Sequence, residues 1–267
     1  MSRVRQRLVF ESYGVIAVLA SDDDSRAEEL TPLLPPGWAP ADGEPEAEFD
    51  LARDGTISID GAIALRPNGD RASTLRRLGS TLRHHLAMKA RDRIFIHAGV
   101  VSVGGSAIVI PGASHSGKST LVAALLRRGA TYHSDEYAVV GPDGAIEPYI
   151  KPLSLRLERP DEPGVPVPVP EDQIGSGPIR CGLIVVTSYE KGARWAPEPM
   201  GRGEGALALL RNTVAAQHRP GDALAAVSRV SRTAEIISGA RGEADVVARD
   251  LLERAADWSR AAAPPTS

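Results

Sequence analysis

Apolar residues near the start of the chain follow the two-residue period of strands and then the longer period of a helix. The segment 48–59 alternates apolar and polar residues around an Asp54-Gly55 turn, a pattern typical of a β-hairpin. Leucines at helical spacing then predict a helix over 72–90. Residues 1–90 are therefore predicted to form a small α+β module, with further strands at 8–10 and 14–19.

From residue 94 onwards short apolar runs predict strands, and several are joined by turns too short for a crossover helix. Gly104-Gly105 and the segment 141–144 are such turns, so their flanking strands are expected to be antiparallel. This pattern does not suit a doubly wound parallel sheet, and we predict an α/β domain with a mixed sheet over 91–260, followed by a frayed tail over 261–267. The predicted strands are 94–97, 100–103, 106–110, 130–133, 137–140, 145–150 and 183–187, and the predicted helices are 120–128, 204–217, 223–229 and 243–258.

The segment 159–170 is rich in proline and interrupts this pattern. Its composition predicts an extended and exposed conformation. Two interpretations remain open, a plain connector and a loop that covers a substrate.

The segment 112–119 fits the phosphate-binding P-loop pattern, in which a glycine and four further residues precede Gly-Lys-Ser. An apolar run precedes it and a helical pattern follows it, as a phosphate cradle requires, because loop amides and a helix N-terminus must point at the anion. The alternative is a Gly/Ser-rich turn that binds no ligand. The residues predicted to bind a nucleoside triphosphate are Gly112, Ala113, Ser114, His115, Ser116, Gly117, Lys118, Ser119 and Thr120.

Two adjacent acids, Asp135 and Glu136, follow Lys118 by only seventeen and eighteen positions, at the end of the next predicted strand. Phosphoryl transfer to a hydroxyl needs a carboxylate for Mg²⁺ and a carboxylate that takes the hydroxyl proton. Neighbouring side chains on a strand point to opposite faces, so one acid is expected to face the nucleotide more directly. The alternative is a solvated acidic turn. His97, before Ala98-Gly99, is a weaker candidate, because a lone histidine at a strand end is usually structural.

Composition narrows the choice of partners. A hydrophobic fraction of 42% with 24% charged residues is ordinary for a globular protein, so a packed core is expected. The net charge of −3 argues against nucleic acid as the main partner. With Cys181 as the single cysteine, neither a disulfide framework nor a cysteine-based metal site is expected. The sequence has no run of membrane-spanning length and no signal-peptide pattern, so no membrane partner and a cytoplasmic location are expected, while homo-oligomerisation is left open.

Three segments in this order resemble the catalytic domain of HPr kinase/phosphorylase. They are His97-Ala98-Gly99-Val100-Val101, the loop 112–119, and Gly129 to Glu136. The resemblance covers roughly residues 94–140 and implies a mixed-sheet fold like that of phosphoenolpyruvate carboxykinase. The family's downstream Arg-Gly-Met-Gly signature is absent, and Lys151 to Arg156 stands in its place. This segment is similar to stand-alone HPr-kinase-like kinases, including those of peptide biosynthesis clusters.

The resemblance also implies a role for each matching residue. Lys118 and the loop amides would hold the β- and γ-phosphates of ATP, and Ser119 would hold Mg²⁺. Asp135 would be the base for the acceptor hydroxyl, Glu136 would assist with the metal, and His97 would lie near the reacting phosphate. Outside the matched segments, Lys151 and Arg156 are candidates to contact phosphate or acceptor, and structural ion pairing is an equally good explanation of both.

The leading hypothesis is therefore a Mg²⁺/ATP-dependent kinase whose acceptor is a hydroxyl, either a serine of a peptide or protein or a small-molecule alcohol. The alternative is a non-catalytic ATP-binding module that regulates a partner. Retention of the lysine, the serine and both acids favours the enzyme, because a pure binder needs no base. A carboxykinase-type decarboxylase shares the implied fold, but its metal-binding and carboxylate-binding elements are not recognisable.

Overall fold

The computed structural model of the chain describes residues 6–22, 27–67, 69–113, 116–155 and 164–262, and the side chains of residues 27 and 256–262 lie outside that description. Three residues of the predicted site, Ser114, His115 and Arg156, also lie outside the described residues. The chain divides into two compact units, Met1–Asp92 and Arg93–Ser267. This division falls close to the boundary expected at residue 90.

The first unit is a six-stranded sheet with a long helix packed on one face. Phe10 and Phe49 from the sheet share a buried core with leucines of that helix, Leu78, Leu82 and Leu86. The Asp70 side chain caps the helix by accepting a 2.7 Å hydrogen bond from the Ser73 amide. The elements are β1 (Gln6–Ser12), β2 (Val15–Ser21), α1 (Ala27–Leu30), β3 (Ala39–Pro40), β4 (Ala47–Leu51), β5 (Ile57–Ile59), β6 (Ala62–Leu65) and α2 (Arg71–Lys89).

The second unit is built on an eight-stranded sheet in the order β11-β10-β7-β8-β14-β16-β15, with β9 also paired to β7. Strands β8, β14 and β16 run parallel to one another, whereas β7 is antiparallel to β8, β9 and β10. The predicted mixed sheet and the α/β class are thus confirmed. The strands are β7 (Ile94–Val103), β8 (Ser106–Pro111), β9 (Thr131–Ser134), β10 (Tyr137–Val140), β11 (Ile146–Glu147), β12 (Leu153–Leu155), β13 (Val165–Val167), β14 (Arg180–Tyr189), β15 (Glu198–Pro199) and β16 (Glu235–Arg241), and the helices are α3 (Lys118–Leu126), α4 (Arg202–Arg211), α5 (Pro220–Ser231) and α6 (Ala244–Ala262).

Helices cover both faces of this sheet. Ile108, Ile110 and Val185 point toward a core shared with α3 and α6, whereas alternate residues such as Val109 and Ile184 point toward a core shared with α4 and α5. Strands buried on both sides read as continuous apolar runs, which is why β8 and β14 were recognisable in the sequence.

Strand β7 is continuous through His97 and Gly99, where the sequence suggested two shorter strands. Strands β9 and β10 lie end to end along the same edge of β7, with Ser134 opposite Val100 and Tyr137 opposite His97. Asp135 and Glu136 occupy the bend between those two strands. The acid pair therefore lies across β7 from the strand that leads into the P-loop.

Several predicted boundaries are wrong. Helix α4 ends at Arg211 instead of residue 217, because residues 212–214 pair with β7 beyond the end of β8: His97 donates to the Asn212 carbonyl and Val214 to the Phe95 carbonyl. Strand β11 is limited to Ile146–Glu147, and β16 was not predicted at all. Helix α6 continues to Ala262, into the segment expected to fray, and residues 263–267 lie outside the described chain.

The proline-rich segment contributes one strand. Val165–Val167 pairs with Leu153–Leu155 as a two-stranded ribbon, while residues 156–163 lie outside the described chain. Over the described ranges, no helix is both long enough and apolar enough to span a membrane.

Candidate functional site

The P-loop segment connects β8 to α3 at the carboxyl edge of the parallel strands. Gly117, with a φ of 79°, turns the chain into the helix, and only glycine adopts this left-handed conformation without strain. Gly112 donates a 3.1 Å hydrogen bond to the His97 carbonyl, which ties the start of the loop to β7. The first turn of α3, which includes Ser119 and Thr120, is thus presented at the mouth of the loop.

The Lys118 side chain folds back over the loop. It is 9% exposed, and its Nζ donates a 2.7 Å hydrogen bond to the Ala113 carbonyl. Burial lowers the pKa of Lys118 to about 8, although the negative charge of Asp135 acts in the opposite direction. The Lys118 ammonium group therefore lies inside the loop, where it is largely removed from water.

The Asp135 carboxylate lies next to the P-loop helix and receives four donors. Ser119 Oγ and the Ser154 amide each lie 3.0 Å from Oδ2, while the Tyr132 hydroxyl and Lys151 Nζ each lie 3.1 Å from Oδ1. The Asp135 side chain is only 2% exposed, which does not fit a solvated acidic turn. The Ser119 hydroxyl and the Asp135 carboxylate are thus in direct contact, and both are oxygen ligands of the kind that Mg²⁺ accepts.

Glu136 lies on the same side of the chain as Asp135, which corrects the expectation of opposite faces. The two acids occupy a bend in which the Ser134 hydroxyl oxygen accepts hydrogen bonds from the amides of Glu136 and Tyr137, at 3.1 and 3.0 Å. Because the backbone is bent and not extended, both carboxylates reach Lys151 Nζ, at 3.1 Å from Asp135 and 3.6 Å from Glu136. The Lys151 ammonium thus bridges the pair.

His97 lies opposite the acid-bearing bend, on β7. Its carbonyl oxygen accepts the Gly112 amide, and its ring lies 4.7 Å from the ring of Tyr137, centre to centre. Tyr137 also makes edge-to-face contacts with Phe95 and Tyr149. The structure therefore brings His97 to the start of the P-loop and beside a buried aromatic cluster.

Oxygen ligands suited to Mg²⁺ lie around Asp135: the Ser119 hydroxyl contacts its Oδ2, and Lys151, which contacts its Oδ1, also reaches Glu136. Over the described part of the chain, no group of three or more His, Cys, Asp or Glu residues could hold a metal ion by itself. Mg²⁺ usually needs only one or two carboxylates, because water and substrate phosphates complete its shell. The residues present thus fit a metal that arrives together with a nucleotide.

Two residues at the site, Tyr132 and Arg241, were not identified in the sequence. The Tyr132 hydroxyl lies between Asp135 and the Lys151 carbonyl oxygen, and burial together with the charge of Asp135 raises its pKa, so it stays a donor. Arg241, the last residue of β16, donates hydrogen bonds to the carbonyls of Ser116 and Gly117. No pattern marked either one, because a tyrosine in a strand and an arginine before a glycine are ordinary features of a sequence.

The structure thus brings Lys118, Ser119, Asp135, Glu136 and Lys151 into one cluster, with His97 at the other side of the loop entrance. Comparison of the chain with models of protein families finds no match, and comparison with curated proteins finds none either. The chemistry of this cluster is therefore the basis on which a function can be proposed.

Proposed function

We propose that the protein is a Mg²⁺/ATP-dependent kinase of the HPr-kinase-like type, which transfers the γ-phosphoryl group to a hydroxyl. The observation that carries the proposal is the 3.0 Å contact between Ser119 Oγ and Asp135 Oδ2, which couples a P-loop to an acid pair. A turn that binds no ligand gains nothing from burying a lysine and an aspartate beside a serine hydroxyl.

Each residue has a role that its position supports. In this proposal the loop amides and Lys118 would bind the β- and γ-phosphate oxygens, while Ser119 and the acid pair, Asp135 and Glu136, would hold the metal. Mg²⁺, when bound, would supply positive charge that offsets the negative charge of the phosphates. Lys151, which already bridges the two carboxylates, adds a second cation beside the transferred group.

In the transfer step the acceptor oxygen forms a bond to the γ-phosphorus, and the bond from that phosphorus to the β–γ bridging oxygen breaks, which leaves ADP. Asp135 accepts the proton of the acceptor hydroxyl. Tyr132 and the Ser154 amide fix the orientation of the Asp135 carboxylate, because each donates to one of its oxygens. Acceptor candidates are a serine of a peptide or protein and a small-molecule alcohol.

The test is transfer of label from γ-labelled ATP, and in parallel GTP, to serine-containing peptides, proteins and small alcohols. The Asp135→Asn substitution is expected to lower transfer by about 10²–10⁴-fold, the usual contribution of a positioned base, with nucleotide affinity changed much less. Asp143→Asn is the matched control, because Asp143 is an exposed acid paired with Arg180 and should leave transfer unchanged.

Unchanged transfer in Asp135→Asn would refute the base assignment. Tight nucleotide binding without transfer to any acceptor would instead favour the non-catalytic regulatory module. Failure of the wild-type protein to bind nucleoside triphosphates at all would refute both.

A further inference from the structure

A buried arginine lies behind the P-loop. Arg241 is 2% exposed and is among the largest fully buried side chains of the described residues. Its Nη2 donates to the carbonyl oxygens of Gly117 at 2.8 Å and Ser116 at 3.3 Å, and its guanidinium carbon lies 5.6 Å from the centre of the Tyr189 ring. Strand β16 thus places a guanidinium against the turn that leads into α3.

The direction of those two carbonyls fixes the direction of two amides. A trans peptide is planar, so its N–H points opposite to its C=O. Because the Ser116 carbonyl points at Arg241, the Gly117 amide points away from it. The Lys118 amide points away for the same reason, since the Gly117 carbonyl also faces Arg241. These are two of the amides that a P-loop turns toward phosphate.

Gly117 is also the residue that makes room for the guanidinium. A Cβ at Gly117 would overlap Arg241 Nη2. Two separate features therefore require glycine at position 117: its positive φ, and the close approach of the Arg241 guanidinium.

We propose that Arg241 is a positioning residue of the phosphate-binding loop, which holds the peptide planes at 116–118 so that the amides of Gly117 and Lys118 face the phosphates. The inference rests on the proposed nucleotide-binding function and deepens it. Arg241 acts through the loop backbone, and its charge adds to the positive potential that attracts a polyphosphate.

The experiment measures the dissociation constants of MgATP and of inorganic tripolyphosphate, at a temperature at which every variant is folded. Arg241→Gln is expected to raise both dissociation constants by about tenfold or more, because hydrogen bonds from a charged donor to the two carbonyls are lost. Arg241→Lys keeps the charge but lacks the planar fork, so a smaller increase in both constants is expected. Arg180→Gln is the matched control, because Arg180 also donates to a backbone carbonyl, that of Asp143, at the opposite end of the sheet.

The outcomes separate this inference from the proposed function. If the wild-type protein binds neither probe, the proposed function fails and the inference fails with it. If the wild-type protein binds both probes and the two Arg241 variants bind them within twofold of it, the role of Arg241 is refuted while the kinase proposal stands. A lower melting temperature with unchanged dissociation constants would likewise assign Arg241 to stability alone.

Arg241→Gln is a substitution in the core, so Arg241→Lys decides the question if the glutamine variant does not fold. Gly117→Ala provides a second measurement, because the added methyl group displaces the guanidinium. If both residues act on the same peptide planes, the double variant loses less binding free energy than the sum of the losses in Gly117→Ala and Arg241→Lys. Fully additive losses would contradict the inference.

Discussion

The Lys118 ammonium group is largely removed from water. The free energy of unfolding should therefore depend on pH in the range where this group titrates. The unfolded chain keeps the lysine proton up to a pH near 10.5, whereas burial lowers the pKa in the folded protein to about 8. Between these values the unfolded state binds more protons, so the free energy of unfolding rises with pH over that window and the full penalty is present below pH 8. Lys118→Met removes this dependence.

We compare the free energy of unfolding of the wild-type protein with that of Lys118→Met. The difference between the two is expected to change in favour of the wild-type protein by at most about 3 kcal/mol from pH 7 to pH 10. Urea denaturation at pH 7, 8, 9 and 10 measures the difference, and a comparison with Lys89→Met, on α2, controls for the loss of an ordinary lysine. A difference that stays constant with pH would show that Lys118 is not held in a desolvated place.

At the residue scale, the sequence predicted which residues form the candidate site but not which residues support them. Lys118, Ser119 and Asp135 follow from motif spacing, because a strand, a loop and a helix bring positions less than twenty residues apart into contact. Arg241 contacts Gly117 across 124 positions of the chain, and no local rule predicts which strand end will lie behind the loop. A residue of this kind can be identified only when the order of strands in the sheet is known.

Strand β7 and helix α3 are held together by a close approach at Gly99, and a methyl group there should separate them. A Cβ at Gly99 would lie 2.7 Å from Val122 Cγ2. Gly99→Ala is expected to lower the free energy of unfolding by about 1–3 kcal/mol, the usual effect of overpacking. It should also weaken nucleotide binding, because α3 carries the P-loop serine. Chemical denaturation and nucleotide titration measure the two effects.

Gly203→Ala is the matched control for that substitution. Gly203 lies in α4 with no atom near the place of an added Cβ, so alanine there should be neutral or stabilise the protein by up to about 1 kcal/mol. Equal effects of the two substitutions would show that a methyl group at position 99 is accommodated without strain against Val122.

At the scale of elements, the strands buried on both faces were predictable and those fixed by distant partners were not. Strand β16 contains only two isoleucines before Ser238-Gly239-Ala240, a pattern too short and polar to indicate a strand. It forms because β14 offers a parallel neighbour along its length. Helix α4 ends early for a similar reason, since residues 212–214 pair with β7 instead of adding another helical turn.

For the whole molecule, the separate cores predict separate folding. The core of the first unit draws its residues from Leu8 to Leu86, and both cores of the second unit draw theirs from Ile94 onwards. A fragment of residues 93–262 is therefore expected to unfold cooperatively and to bind MgATP with an affinity within a fewfold of the full chain. Circular dichroism and nucleotide titration of that fragment test this expectation, and a fragment without a cooperative transition would refute it.

The break in pairing between β9 and β10 has a consequence for how this architecture varies. Asp135 and Glu136 lie in a kink along the edge of an unbroken neighbouring strand, and the Asp135 carboxylate accepts four hydrogen bonds there. A residue without an acceptor at position 135 would leave buried donors unsatisfied, which lowers stability. Proteins that share this backbone are therefore expected to keep an oxygen acceptor at that position, whether or not they are enzymes.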